Sequence, residues 1–284
     1  MKQSRIISFI IIFLIYVVAS VFGVLVFNYL NYDLWAKLLI SDIFATLIVF
    51  LFSLLLKNAS VYDPYWSVAP LVILGLLALN IKLTSSSALV LIAVFVWGIR
   101  LTLNWAYTFK NLYHQDWRYT MLKEKTKKFY PFINLFGIHM FPTLVVYLCV
   151  LPAVYLITFQ IEANVLTYIF FVFALMSAVI QGLADCQMHK YKLNKITNYI
   201  NSGLWKYSRH PNYLGEIMMW FSIDLLVVLT VKGNYFFLIG AIVNFVMFMV
   251  VSIPMAEKRQ SKKEGFVEYK KKTRMLLPFK KIID

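Results

Sequence analysis

Residues 6–28 read IISFIIIFLIYVVASVFGVLVFN, a run without one charged side chain, its few hydroxyls isolated among Ile, Val, Phe and Leu. About 20 such residues in a helix are enough to cross a hydrocarbon core of ~30 Å. The run exceeds the ~7–15-residue apolar stretch of a cleaved leader and no small-residue cleavage site follows it, so a retained span is expected. Runs of the same kind recur at 34–56, 66–83, 88–109, 132–158, 164–184, 212–231 and 235–255. Eight spans are therefore predicted. The third is the weakest, because Pro70, Gly75 and Lys82 bracket a short apolar run, and a seven-span arrangement with a re-entrant third segment stays open.

Composition points the same way. Of the 284 residues 61% are apolar and only 14% charged, and the mean hydropathy is +0.72, against ~45–50% apolar and roughly a quarter charged in a soluble chain. There is too little polar surface to cover a water-facing globule, which excludes a soluble enzyme core. The expected fold class is all-α, a polytopic membrane helical bundle. No repeat or low-complexity linker is visible, so residues 1–60, holding the first spans, and 61–284 are read as parts of one structural unit. The net charge of +15 does not point to nucleic acid, since most of the 28 Lys and Arg fall in three stretches, 110–128, 190–209 and 258–281. Placing the amino terminus inside, with Lys2 and Arg5, puts all three on the cytoplasmic side, while the outer loops hold little beyond Asp33, Lys82, Glu162 and Lys232. That satisfies the positive-inside bias and leaves both termini cytoplasmic, with a basic tail after Met255 facing anionic lipid headgroups. Cys149 and Cys186 form no CxxC, and His114, His139 and His189 show no HExxH spacing, so neither a disulfide framework nor a metal site is indicated.

Polar residues inside the spans carry the functional signal, because an ionisable side chain near a helix centre costs ~2.5–3.5 kcal/mol on insertion scales and usually faces protein or a water-filled cavity. Arg100, Asn104, Tyr107 and Asn111 fall at i, i+4, i+7 and i+11, on one face of the fourth span. Gln181, Asp185, His189 and Lys192 repeat nearly the same spacing at the end of the sixth. The seventh opens with SRHPNYLGE, Ser208 to Glu216, in which Pro211 suits the first helical turn and Asn212 and Glu216 share a face. Helix-to-helix hydrogen bonding alone would scatter such residues over both leaflets. These cluster at the cytoplasmic ends of three spans, alongside Asp63 at the mouth of the third, as a cavity open to the cytosol would require. Asp42 and Asp224 lie within spans and are expected to pair structurally with Arg100 or another base.

Glu216, Asp185 and Asn212 supply acceptors and an amide for ribose hydroxyls or a base, and Arg209, Lys192 and Lys206 supply cations for phosphates. That combination suits a nucleotide cofactor. No GxGxxG or GxxxxGK[ST] occurs, so side chains within the bundle, not a glycine-rich loop, would hold it. DWRY, Asp116 to Tyr119, adds aromatic faces and a guanidinium, although an interfacial aromatic belt explains Trp117 and Tyr119 equally well. His210 reads either as a proton donor or, beside Pro211, as a capping residue.

From SRHPNYLGE outward the chain resembles the superfamily of steroid 5-alpha reductases, sterol reductases and isoprenylcysteine carboxyl methyltransferases, and more closely its bacterial DUF1295 branch. DPYWS (Asp63 to Ser67), WGIRLTLNW (Trp97 to Trp105), DWRY, QGLADCQ (Gln181 to Gln187), GLWKYSRHPNYLGE (Gly203 to Glu216) and EKR followed by FVEYKKKTRMLLPF occur in that order, spanning residues 63 to 279. The resemblance implies that residues 61–284 form a reductase-like membrane catalytic domain in which the carboxyl-terminal half binds NADPH and an enone-bearing lipid enters from the bilayer. By similarity Gln181, Asp185, Lys192, Arg209, His210, Asn212, Tyr213 and Glu216 would be cofactor contacts. No contact carries over at Ala256 to Lys263, which lacks the Arg- and His-rich stretch of animal steroid reductases. Asp63 is the nearest acidic counterpart of the catalytic Glu. Trp97 falls where the catalytic Tyr is expected, leaving Tyr107 or Tyr62 as substitutes, with Arg100 and Asn104 alongside.

The implied reaction is NADPH-dependent reduction of a conjugated carbon–carbon double bond in a sterol-like, isoprenoid or other enone lipid, a hydrogen-bond donor stabilising charge on the carbonyl oxygen. An S-adenosylmethionine-dependent methyltransferase could use the same RHPNY turn, and a non-enzymatic transporter or scaffold is the third reading. DPYWS and DWRY favour the reductase side, and the absence of an inverted repeat disfavours a transporter.

Overall fold

The computed structural model describes residues 4–194, 197–231 and 234–278. Lys2, Lys232 and the tail from residue 279 lie outside the described residues, as does Lys195 of the second basic stretch. Among the described residues there is no strand, and an isolated bridge joins Ser208 to Arg274. The helices are α1 (Arg5–Tyr29), α2 (Leu34–Leu55), α3 (Tyr65–Asn80), α4 (Ser85–Thr108), α5 (Trp117–Thr126), α6 (Tyr130–Ile133), α7 (Phe141–Thr158), α8 (Val165–Asn194), α9 (Pro211–Val231), α10 (Ile239–Met247), α11 (Ile253–Gln260) and α12 (Phe266–Lys272). A 3-10 turn at Ala59–Tyr62 precedes α3, and π-helical stretches at Asn134–Met140 and Phe248–Ser252 lead into α7 and α11.

Among the described residues eight helical segments are long and apolar enough to span a membrane, and the protein is an all-α polytopic membrane protein. Apolar length makes the helices, and short polar side chains set their starts. Ser4 accepts from the Ile7 N–H at 3.1 Å and Asp33 from the Ala36 N–H at 3.0 Å, each meeting a donor that the first helical turn leaves unpaired. The third segment, Ala59–Asn80, is the least apolar of the eight because it includes Asp63, Pro64, Tyr65, Trp66 and Ser67; α3 itself runs unbroken through Pro70. The fifth extends back to Trp117, and α8 carries the QGLADCQ stripe on to Asn194 as helix.

The helices group into two compact units that do not divide at residue 60: Met1–Lys82 with Gly98–Thr158, and Leu83–Trp97 with Phe159–Asp284. The reason lies in polar contacts that fasten the first two helices to later ones. Thr46 and Thr143 share a hydrogen bond at 3.0 Å, Tyr147 donates to the Trp35 carbonyl at 2.8 Å, and Tyr16 donates to the Val61 carbonyl at 2.6 Å. Residues 1–60 therefore have no separate core. α4 gives its first half to the second unit and the remainder to the first.

Asp42 and Asp224 depart from the expected pairing with a base. Asp42 accepts from the Tyr65 hydroxyl at 3.0 Å and Asp224 from the Ala241 N–H at 2.8 Å, and neither makes an ion pair among the described residues. A neutral donor satisfies a carboxyl without desolvating a second charge. In the first unit α3 and α4 meet so closely at Gly98 that a Cβ there would lie 2.8 Å from Leu71 Cδ2 and 2.9 Å from the Ser67 carbonyl oxygen. The contact is reinforced by a 2.8 Å hydrogen bond between Ser67 and Thr102. Gly98→Val is expected to lower stability by ~1–3 kcal/mol, the usual cost of overpacking. Thermal unfolding in detergent reads it, and an unchanged midpoint would contradict this packing.

Candidate functional site

In the first unit, the chain after α2 folds into a buried turn that aims Asp63. Asn58 starts it, accepting from the Ser60 N–H at 2.9 Å and donating to the Leu112 carbonyl, while the Ala59 N–H reaches Gln115 Oε1 at 3.0 Å and Ser60 Oγ takes the Asp116 N–H at 2.8 Å. The 3-10 turn and the DWRY loop are thereby stitched together. Asp116 caps α5 and holds Arg118 through Nε at 2.7 Å, and the first turn of α5 presents Tyr119 to Asp63, its hydroxyl donating to Oδ1 at 2.6 Å. Arg118 Nη2 stands 3.9 Å from the same oxygen. Asp63 keeps 16% of its side chain exposed. Tyr119, not Tyr107 or Tyr62, is thus the phenol on the acid: Tyr107 is 62% exposed, and the buried Tyr62 hydroxyl bonds Thr143 at 2.8 Å. Arg100 and Asn104 are partly buried along α4 in this unit.

In the second unit, α8 and α9 run side by side with matched polar rungs. Gln181 Nε2 donates to Glu216 Oε2 at 2.7 Å, and one turn along each helix Asn212 Nδ2 donates to Asp185 Oδ1 at 3.4 Å. Glu216 also receives the indole N–H of Trp97 at 2.8 Å on Oε2 and that of Trp220 at 2.8 Å on Oε1. Gln181, Glu216, Trp97 and Trp220 are all buried, whereas Asp185 and Asn212 are partly open. Gly215 makes this approach possible, since a Cβ there would lie 2.5 Å from Gln181 Cγ and 2.7 Å from the Ser177 carbonyl oxygen. The Gly of RHPNYLGE is therefore a packing residue. Asn212 Oδ1 is buried with no hydrogen-bond partner among the described residues, an acceptor open to a donor from a ligand.

The first residues of the motif are occupied otherwise. Arg209 reaches Glu257 Oε1 at 2.7 Å through both Nε and Nη2, and its Nη1 donates to the carbonyls of Thr273 and Lys270. His210 Nε2 stands 3.4 Å from the same carboxylate, its ring stacked 5.2 Å from that of Tyr213, which in turn lies 4.8 Å from Phe248. Lys270 completes the cluster at 2.6 Å from Glu257 Oε2. The Arg209 N–H donates to the Arg274 carbonyl at 3.0 Å and the Tyr269 hydroxyl to the Trp205 carbonyl, so α12 and the strand-like residues after it are strapped to the turn that opens α9. Burial raises the Tyr269 hydroxyl above its ordinary range and keeps it a donor.

The family model that matches residues 49–273 is described as DUF1295, a protein family of unknown function. The chain belongs to the DUF1295 family. An uncharacterized protein of Schizosaccharomyces pombe, C594.04c, is 28% identical over 199 residues, which cover 60% of this chain and 57% of that protein. The chain thus spans little more than half the length of this relative. No solved structure matches it.

In this DUF1295 chain Gln181 and Glu216 form one rung, and Asp185 with Asn212 another, as the shared i, i+4 spacing of the two motifs allows. Arg209 and His210 hold the carboxyl-terminal strap, and Lys192 is exposed near the end of α8. Two participants escaped sequence reading. Tyr119 lies inside DWRY, where an interfacial aromatic belt explains it equally well, and Glu257 opens EKR as the lone acid ahead of Lys258, Arg259, Lys262 and Lys263, a stretch from which no cofactor contact carries over. Removing one partner of a buried ion pair costs ~3–5 kcal/mol. Glu257→Ala is accordingly expected to loosen the strap, lowering the unfolding midpoint and speeding trypsin cleavage at the helical, already exposed Lys270–Lys272 segment. Wild-type resistance to proteolysis would show that Glu257 does not fasten it.

Proposed function

We propose that the protein is an NADPH-dependent membrane oxidoreductase that reduces a conjugated carbon–carbon double bond in a lipid, sterol-like, isoprenoid or another enone. The observation that carries this reading is the 2.6 Å contact between the Tyr119 hydroxyl and Asp63. Transfer of a methyl group to a carboxylate calls for no proton donor, whereas reduction of an enone builds negative charge on a carbonyl oxygen and is accelerated by a donor aimed at it. The pair favours reduction over methyl transfer. It also accords with the order of DPYWS, DWRY and RHPNYLGE motifs by which the chain resembles the reductases.

Tyr119 Oη is the group proposed to donate to the substrate carbonyl oxygen, its single O–H turning from Asp63 to the substrate, with Asp63 the group that positions the phenol and Arg118 the cation that lowers the cost of an enolate beside them. The nucleotide contacts proposed are Asp185 and Asn212, the partly open rung, while the buried Gln181 and Glu216 hold α8 to α9 beneath them and Tyr213 packs against His210 and Phe248. The partnerless Asn212 oxygen suits a ribose hydroxyl or carboxamide N–H. Arg209 and His210 act on the cofactor through the strap, and Lys192 is the cation proposed for phosphate. NADPH, when bound, would supply hydride to the β carbon, and the resulting enolate would take a proton from water at the α carbon to give the saturated carbonyl. The basic stretches support an arrangement with both termini in the cytoplasm, where NADPH is available.

The reading is tested by denaturing the detergent-purified protein and identifying the released small molecule by mass spectrometry. NADP(H) is expected; S-adenosylmethionine or its demethylated product would replace the proposal with methyl transfer, and no nucleotide at all would remove it. Asn212→Ala and Asp185→Ala are each expected to weaken NADPH binding about tenfold, the loss of one hydrogen bond to a polar ligand group. Tyr119→Phe and Asp63→Asn should instead cut turnover ~10²-fold or more with NADPH binding retained. Loss of cofactor binding in Tyr119→Phe would place that residue in the wrong role.

A further inference from the structure

The end of the last membrane-length helix carries an open cleft of about 370 Å³ whose two halves differ in chemistry. Met249, Ile253 and Pro254 line one part, on the π-helical stretch and the first turn of α11; Glu257, Lys258 and Ser261 line the next turns, and Lys270 and Met275 of the strap close the side. Along α11 the lining thus passes from hydrocarbon to cation within about two turns, the distance over which a membrane passes from acyl chain to headgroup.

The charge at the polar end is positive in net. Glu257 is shared by Arg209, His210 and Lys270. Lys270 spends one contact on it and keeps 53% of its side chain exposed, with N–H donors to spare. Lys258 is exposed and makes no ion pair among the described residues. Ser261 Oγ donates its one O–H to the Lys258 carbonyl at 2.9 Å, so the donors at this end are the two lysines. Two ammonium groups beside a sulfur- and methyl-lined wall fit a phosphodiester joined to a hydrocarbon chain. Inorganic phosphate or a free nucleotide would leave that wall without a partner.

We infer that this cleft is a specific site for an anionic glycerophospholipid, its phosphate held by Lys258 and Lys270 and its first methylenes laid against Met249, Ile253 and Pro254. The site is separate from the proposed nucleotide contacts and does not depend on the reductase reading. Because the strap forms one wall, an occupied cleft ties α12 to the membrane surface and, through Glu257 and Arg209, to the turn opening α9.

The full chain in mild detergent, offered an equimolar mixture of phosphatidylglycerol and phosphatidylcholine, is to be read by native mass spectrometry. Retention of phosphatidylglycerol over phosphatidylcholine is expected, reduced about fivefold in Lys258→Ala, the effect of one lysine at a membrane surface. Lys262→Ala, an exposed lysine outside the cleft, should leave retention near that of the wild type. Equal retention of the two lipids, or equal losses in Lys258→Ala and Lys262→Ala, would reduce the site to diffuse attraction. Displacement of the lipid by excess inorganic phosphate would make it a free-phosphate site. Either result overturns the inference.

Discussion

Hydrocarbon offers a carboxylate no water, and this protein carries Asp42, Asp63, Glu216 and Asp224 on membrane-length helical segments. Each is met by an O–H or N–H brought from another part of the chain: Tyr65, Tyr119, the indoles and amide around Glu216, and the Ala241 backbone. Left unpaired, the buried Asp42, Glu216 and Asp224 would each cost several kcal/mol, so their partners stabilise the fold, whereas Asp63 keeps an open edge. The second unit's helices take their register from this demand. Gln181 can meet Glu216, and Asn212 can meet Asp185, only if α8 and α9 pass at one height and close enough that position 215 has no side chain.

The acids then differ in what remains open around them. Glu216 has both oxygens engaged by neutral donors from buried groups, which suits an anchor that keeps α8, α9 and Trp97 in place. Asp63 sits at a turn whose backbone is tied down by Asn58, Ser60 and Gln115, and it retains exposure, a phenol and a guanidinium at its edge. Rigid backbone behind a partly open acid is the arrangement expected where a side chain must be aimed at something other than its own chain.

The carboxyl-terminal strap shows a third use of charge. Glu257 gathers Arg209, His210 and Lys270, so a basic tail that would otherwise repel itself is folded onto the turn that begins α9. The Arg and His of RHPNYLGE therefore do mechanical work for the residues that follow them, and Gly215 does the same for α8. Of that motif, Asn212 carries a buried polar atom that receives no hydrogen bond among the described residues.

What the amino-acid order determined by itself is whatever depends on neighbours along the helix. Apolar runs of sufficient length make spans wherever they occur, a property summed over twenty residues and insensitive to the rest of the fold, and eight were visible in that way. The i, i+4 spacing of Gln181 with Asp185 and of Asn212 with Glu216 likewise marked two faces before their partner was known. Only tertiary structure decided who meets whom. That Tyr119 binds Asp63 across 56 residues, that Glu257 rather than a ligand takes Arg209, and that Asp42 and Asp224 accept from neutral donors depend on side chains brought together by packing. Periodicity reports the face a residue occupies and is silent about the face opposite, and several donors could have answered each acid until the packed helices left room for one.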